Sequence, residues 1–439
     1  MSIKISRILH AGYIFESGDT RVLFDPIFEN PFSFNCYAFP SVRFHLPSIQ
    51  NLRPSAIFIS HHHDDHCSLE SLNLLDRATP VFVFCLHEEL IEMIRAIGFH
   101  EVHDLDLKTP IQIGEITITP MMAWDEDVDS IFHIKAGDLN VLNVVDSLMH
   151  PETLQKLKAE APWDLVLWPF QTMRETAVLA PSRFPPAPPE VPEEWLAELK
   201  ALSPRYVVPS SCQFVHESWS WYNHALFPIT YRHFESDVRK SLPQTDVIKI
   251  DPGASILLDE RSLVKSEPLS WVVRDSEDEY DYEYQPDVRV PATREIAMRF
   301  PPLSAAATEK VFNYCRNGIA RAYRQLEPSE SFSQSRVWQL SVFDHVGAEF
   351  RFSFRISNSE MVPLDGDDEI GPAWTTEVAI AKLYGALENG ETLSSMYLRV
   401  NEVEIFEDPL IRSLFEGQFG NYQRAQLRRL RVRGEVVRR

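Results

Sequence analysis

Between the apolar run Ala56–Ile59 and the leucine-spaced stretch Ser68–Leu75, the chain places four histidines and two aspartates in six positions, His61 to His66. The β-branched run reads as a short strand and the leucines three apart read as one face of a helix. A loop between them holds imidazole and carboxylate donors close together. Such a loop suits zinc, iron or manganese, because neighbouring side chains can turn toward two adjacent ions. In the pattern H-x-H-x-D-H the donors are His61, His63, Asp65 and His66, with His62 and Asp64 pointing away.

The surrounding chain reads as a layered α/β domain. Ile3–Ile8, Gly12–Ser17 and Thr20–Pro26 read as short strands separated by Gly and Asp turns. Further strand patterns, around residues 81–85, 116–124, 129–147 and 163–170, alternate with an amphipathic helix pattern near 88–99. Residues 181–192 are too rich in proline for a helix or central strand and read as an exposed loop, a lid or an edge of the site. The acidic stretch 276–291 reads as a linker, because its charges repel one another in a packed core. These breaks divide the chain into a metal-binding domain (1–258), an acidic linker (259–300), an α+β domain (301–425) and a basic tail (426–439).

With 439 residues, 44% apolar and 11% aromatic, the chain has material for two or three cores. Its formal charge of −22 argues against nucleic acid and anionic membranes as partners. The N-terminus has no secretion-signal pattern and no stretch holds eighteen uninterrupted apolar residues, so a cytoplasmic protein is expected. Five scattered cysteines fit reduced thiols better than a disulfide framework.

The stretch 59–72, preceded by residues 9–26 with their His-Ala-Gly turn and Asp-Pro, resembles the metallo-β-lactamase superfamily. The resemblance spans about residues 5–258 and implies an αββα sandwich with one or two metals at the edge of the sheets. By that resemblance His61 and His63 bind the first metal, Asp65 and His66 the second, and Asp146, ending the run Asn143–Asp146, bridges them.

Two expected histidines are missing. Where the first metal normally takes a third histidine this chain has Asp125, with Glu126 beside it, so one of these acids is expected to replace it. Asp65, Asp125 and Glu126 are therefore the acids expected to take part in the chemistry. The other histidine belongs near Ser211, where Cys212 and His216 are the neighbouring candidates. A carboxylate in place of imidazole makes the centre harder and more negative, favouring iron or manganese over zinc and weakening acidification of a bound water.

Residues 125–147, 206–218 and 245–260 are similar to the metallo-β-lactamase-like part of CMP-N-acetylneuraminate hydroxylase, an iron monooxygenase supplied by a Rieske cluster. No C-x-x-H occurs here, so an oxygenase of this kind would need a separate electron-transfer protein. The diiron hydroxylase of chloramphenicol biosynthesis offers a parallel in the site alone. The expected function is an iron-dependent oxygenase acting on a small molecule; the alternative is a hydrolase of lactones, phosphodiesters or other esters using a metal-activated water. The cofactors are one or two divalent ions, iron favoured, with zinc or manganese the alternatives. The aromatic stretch 217–234 either walls the site, with His216, Trp219 and Tyr222 toward substrate, or belongs to the core. The C-terminal domain resembles sterol-carrier-protein-2-like domains, which enclose an apolar cavity; a packed domain without ligand is the other reading.

Overall fold

The computed structural model describes the chain except residues 182–185, 277–279, 359, 365–370, 402–407, 416–419 and 436–439. The chain forms two compact units. The first comprises Met1–Met173, Pro188–Tyr284 and Gln426–Arg439; the second comprises Arg174–Ala187 and Gln285–Ala425.

Two sheets build the first unit. One has eight strands, in the order Leu263–Ser266, Ser255–Asp259, Ser2–Leu9, Gly12–Ser17, Thr20–Phe24, Ala56–Ile59, Val81–Val83 and Val102–Asp104. Its first five strands run antiparallel and the rest are parallel to Thr20–Phe24, so the ends of Thr20–Phe24 and Ala56–Ile59 lie side by side. The other has seven, with Asp246–Val247, Tyr206–Ser210, Leu165–Pro169 and Leu139–Asn143 parallel, then Ser130–Ala136, Ile116–Met122 and Ile111–Ile113 antiparallel.

Apolar residues from both sheets form one core, in which Phe24 and Phe58 of the first meet Phe132 of the second at ring distances of 4.9 and 6.0 Å. Helix Glu88–Ala96 covers the first sheet, burying Leu90, Ile91, Met93 and Ile94; Glu88 and Glu89 in its first turn and Arg95 in its last complement its dipole. Helices Pro151–Ala159, Glu193–Leu202 and Tyr231–Ser241 pack side by side on the second. This is the expected αββα sandwich.

Part of the stretch read as a linker belongs to this unit. Leu263–Ser266 adds an edge strand, Val272–Arg274 pairs with Val42–Phe44, and Tyr282 is buried with its hydroxyl donating to the Cys212 carbonyl at 2.6 Å. Alternating tyrosines inside the acidic run supply the apolar surface that keeps it packed. Residues 277–279 of that stretch and 182–185 of the proline-rich one lie outside the described residues. The basic C-terminal segment is helical over Asn421–Arg433. Gln426 accepts from the Leu69 amide (2.7 Å) and donates to Ser68 Oγ (2.8 Å), and Arg429 pairs with Glu70, so this segment braces the helix that follows the histidine loop.

The second unit has a five-stranded sheet, Glu360–Leu364, Glu349–Ser357, Arg336–Phe343, Trp374–Ala379 and Arg399–Val400, with helices Ala305–Asn313 and Ile380–Asn389 among its packed elements. Trp338, Phe354, Val311 and Leu383 share its core. It is the expected smaller C-terminal α+β domain. Among the described residues no helix is long and apolar enough to cross a membrane.

Phe132 is fully buried between rings of the opposite sheet. Phe132→Ala is expected to cost about 3–5 kcal/mol of stability in urea titration, the usual penalty for a cavity of that size; a loss below about 1 kcal/mol would show that the sheets do not interlock there.

Candidate metal centre

The histidine loop starts where strand Ala56–Ile59 ends, and it is tied to the neighbouring strand by one carboxylate. Asp25, following Thr20–Phe24, is fully buried. Its Oδ1 accepts from the Ser60 amide (2.7 Å), and its Oδ2 accepts from Ser60 Oγ (2.7 Å) and faces His66 Nδ1 at 3.0 Å. Because a carboxylate accepts, His66 carries a proton on Nδ1 and turns Nε2 toward Asp146; burial lowers its pKa, but Asp146, Asp65 and Asp25 outweigh burial and raise it. Ser60 Oγ, having donated to Asp25, accepts from His61 Nδ1 (2.9 Å), which leaves His61 Nε2 bare. Oriented imidazoles of this kind are what a metal ligand requires. The loop closes as a tight turn, with the His66 and Cys67 amides donating to the His63 carbonyl.

Two groups of donors result. In the first, His61, His63 and Asp129 bring one ligand atom each within 4.8 Å of one another; in the second, His10, Asp65, His66 and Asp146 do the same. His61 Nε2 lies 2.9 Å from His63 Nδ1 and 3.8 Å from Asp129 Oδ1. His66 Nε2 lies 3.0 Å from Asp146 Oδ2 and 3.3 Å from His10 Nε2, which is itself 3.1 Å from Asp65 Oδ2. Asp129 Oδ1 is buried without a hydrogen-bond partner among the described residues, while its other oxygen accepts from Ser147 Oγ. An orphaned buried carboxylate oxygen facing imidazole nitrogens is the donor chemistry of a cation site. Divalent ions fit here.

Electrostatics agree. Burial raises Asp65 and Asp146, but the histidines around them, His66 first with His10 and His63 beside Asp65 and His61 beside Asp146, together outweigh it and hold both carboxyls well below the usual range. Burial, reinforced by His66 and His63, keeps His61 neutral at ordinary pH, the form that binds metal. Burial and the Asp146 charge push Asp129 upward, a penalty that a cation between them would relieve. His62 and Asp64 turn away as expected. His62 is pushed down to about 3 by burial and His63, and Asp64 up to about 6 by burial and Asp65, with Ser33 Oγ donating to it.

The acid joining His61 and His63 is Asp129, not Asp125 or Glu126. The Asp125 carbonyl accepts from the Val128 and Asp129 amides, a turn that leaves Asp125 and Glu126 exposed and delivers Asp129 to the start of strand Ser130–Ala136. Glu126 pairs instead with His150, at 3.3 Å. Ser130 Oγ donates to the Ser60 carbonyl, fastening that strand to the histidine loop. The sequence signal was an acid directly preceding a strand.

The histidine missing near Ser211 has a counterpart in His10, on the opposite sheet. Its backbone is left-handed (φ 52°), and Arg7, fully buried, donates Nε and Nη2 to its carbonyl. A Cβ on Gly12 would stand 2.7 Å from the Asp25 carbonyl, so only glycine lets this turn approach Asp25. Cys212 and His216 join neither group. Burial and Asp146 push the Cys212 thiol well above its ordinary range. Buried His216 packs against Phe214 and Tyr222, and Trp219 and Tyr222 likewise lie outside both groups.

Residues 4–211 match the family model described as a beta-lactamase superfamily domain. The first unit carries the metallo-β-lactamase fold. No curated protein sequence matches the chain. Among solved structures, this metallo-β-lactamase-fold chain is similar to Igni18, a metallo hydrolase from Ignicoccus hospitalis KIN4/I (17% identity, covering 60% of this chain and all of that one, TM-score 0.42). It is also similar to CmlA, a diiron beta-hydroxylase from Streptomyces venezuelae (16%, 58% and 54%, TM-score 0.38), and to an isothiocyanate hydrolase from Delia radicum gut bacteria (13%, 57% and 98%, TM-score 0.39).

Replacing Asp129 with Ala is expected to lower the metal bound per chain by one equivalent in elemental analysis, while Asp125→Ala leaves it unchanged. The reverse pattern would restore Asp125 as the ligand.

Proposed function

We propose that this protein is a binuclear iron oxygenase that hydroxylates a small molecule with electrons from a separate donor protein. The observation that carries this reading is the first group: two imidazoles and one carboxylate, His61, His63 and Asp129. Two histidines with one carboxylate and open positions form the ligand set typical of non-haem iron oxygenases. The second group adds His10 and His66 with Asp65 and Asp146, giving three carboxylates in all. Each added carboxylate opposes formation of a metal-bound hydroxide and stabilises a higher oxidation state of iron. The hydroxylase-like segments around 125–147 and 206–218 point the same way.

Bound iron would supply oxygen activation. The chain's own residues orient the ligands through Asp25 and Ser60 and keep Asp65 and Asp146 ionised. The overall reaction is insertion of one atom of dioxygen into a C–H bond, the other leaving as water, with two electrons and two protons from the donor. Manganese in the same ligands, or zinc with hydrolysis of a lactone or ester, are the competing outcomes of the test.

The test is elemental analysis of untagged protein with spectra before and after dithionite, then oxygen uptake with a chemical reductant. Expected are about two irons per chain, as in two-metal sites, a charge-transfer band that bleaches on reduction, and oxygen consumption on re-exposure. Stoichiometric zinc, a featureless spectrum and no oxygen uptake would overturn it.

A further inference from the structure

The two-stranded ribbon of Tyr37–Ala38 and Phe214–Val215 stands between His10 and a cavity. Toward the metal centre, Phe32 and Phe214 lie 5.6 and 5.7 Å, ring to ring, from His10. Cys36, which precedes Tyr37, is buried and exchanges backbone hydrogen bonds with Phe32. On the other side, Tyr37, Ala38 and Val215 line a cavity of about 650 Å³.

Its walls are aromatic. Phe39 packs 5.3 Å from Tyr280 and 5.0 Å from Tyr282, and the Tyr282 hydroxyl is fixed on the Cys212 carbonyl. Glu217, Asp281 and Glu283 line it together with His216 and His224, and among the described residues no lysine or arginine does. Asp281 serves the helix behind it, accepting from the Tyr231 and Arg232 amides and pairing with the Arg232 guanidinium at 3.7 Å. Glu217 and Glu283 add two further carboxylates to its lining. Glu217 accepts from Asn35 Nδ2 at 3.4 Å and, after burial, is the cause that raises the Tyr37 phenol.

A cavity of this composition sorts ligands by charge. Carboxylates at close range attract an ammonium and repel a phosphate or carboxylate, and tyrosine and phenylalanine faces add cation–π attraction. We propose that this cavity binds a small organic cation, an ammonium on a flat apolar body, with Tyr37, Phe39 and Tyr280 against the body and Glu217 and Glu283 on the charge. The inference rests on the cavity and holds whichever metal occupies the neighbouring centre.

Calorimetric titration of the purified, metal-containing protein, without reductant or turnover, tests it with phenethylammonium, phenylacetate and phenyl phosphate as probes. Saturable one-to-one binding of phenethylammonium that weakens with added salt is expected, with no binding of either anion at the same concentrations. Glu217→Gln is expected to weaken the ammonium about tenfold, as loss of one charge-assisted contact does. Glu283→Gln is the second variant should the first fail a circular-dichroism check for folding, and the same direction is expected. Anions binding as well as the ammonium, no ammonium binding at millimolar concentration, or full binding by both folded variants would overturn the proposal. Elemental analysis of the same samples separates a cavity that does not bind from a metal centre that has been lost.

Discussion

Asp25 is the interaction on which the metal centre depends. It ends one strand, its amide donates to the Phe58 carbonyl of the next, and its two oxygens hold the Ser60 amide, Ser60 Oγ and His66 Nδ1. A buried carboxylate with three donors is well satisfied, and its charge is compensated by the groups it orients. The parallel pairing of Thr20–Phe24 with Ala56–Ile59 is what brings it there. Without that pairing His61 and His66 have no fixed tautomer, and the six polar residues of the loop become a solvated turn.

The two sheets contribute differently. The first supplies the loop and His10, while the second supplies Asp129 and Asp146 from the ends of its own strands. Arg7 links them, donating to carbonyls of His10, Pro209 and Ile250. A guanidinium buried among carbonyls, with Tyr13 beneath it, holds the His10 turn at the distance from His66 that a shared ion requires. Seven donors from two sheets thus meet in two adjoining groups.

How much of this the sequence disclosed follows from how local each feature is. The loop was legible because four histidines and two aspartates in a row have few structural uses, and Asp146 because an acid closes an apolar strand. A layered α/β domain was legible from strand and helix patterns in order, and the αββα sandwich from the family resemblance of the histidine loop and the segment before it. Asp129 was not, since one turn after Asp125 shifts the approaching acid by four residues, and no periodicity signals that turn. His10 read as a turn residue that the family resemblance puts near the site, and its place among the donors was hidden because it depends on a left-handed turn, a glycine and a buried arginine acting across the sheets. The end of the first unit was hidden by the acidity of 276–291, where Tyr282 is buried and Asp281 caps a helix.

The most direct test of the account is anomalous X-ray diffraction from crystals of the untagged protein, recorded at the iron and zinc edges. The account predicts two iron peaks, one among His61, His63 and Asp129 and one among His10, Asp65, His66 and Asp146. Zinc peaks at these positions, or a metal that leaves His10 and Asp129 uncoordinated, would contradict it.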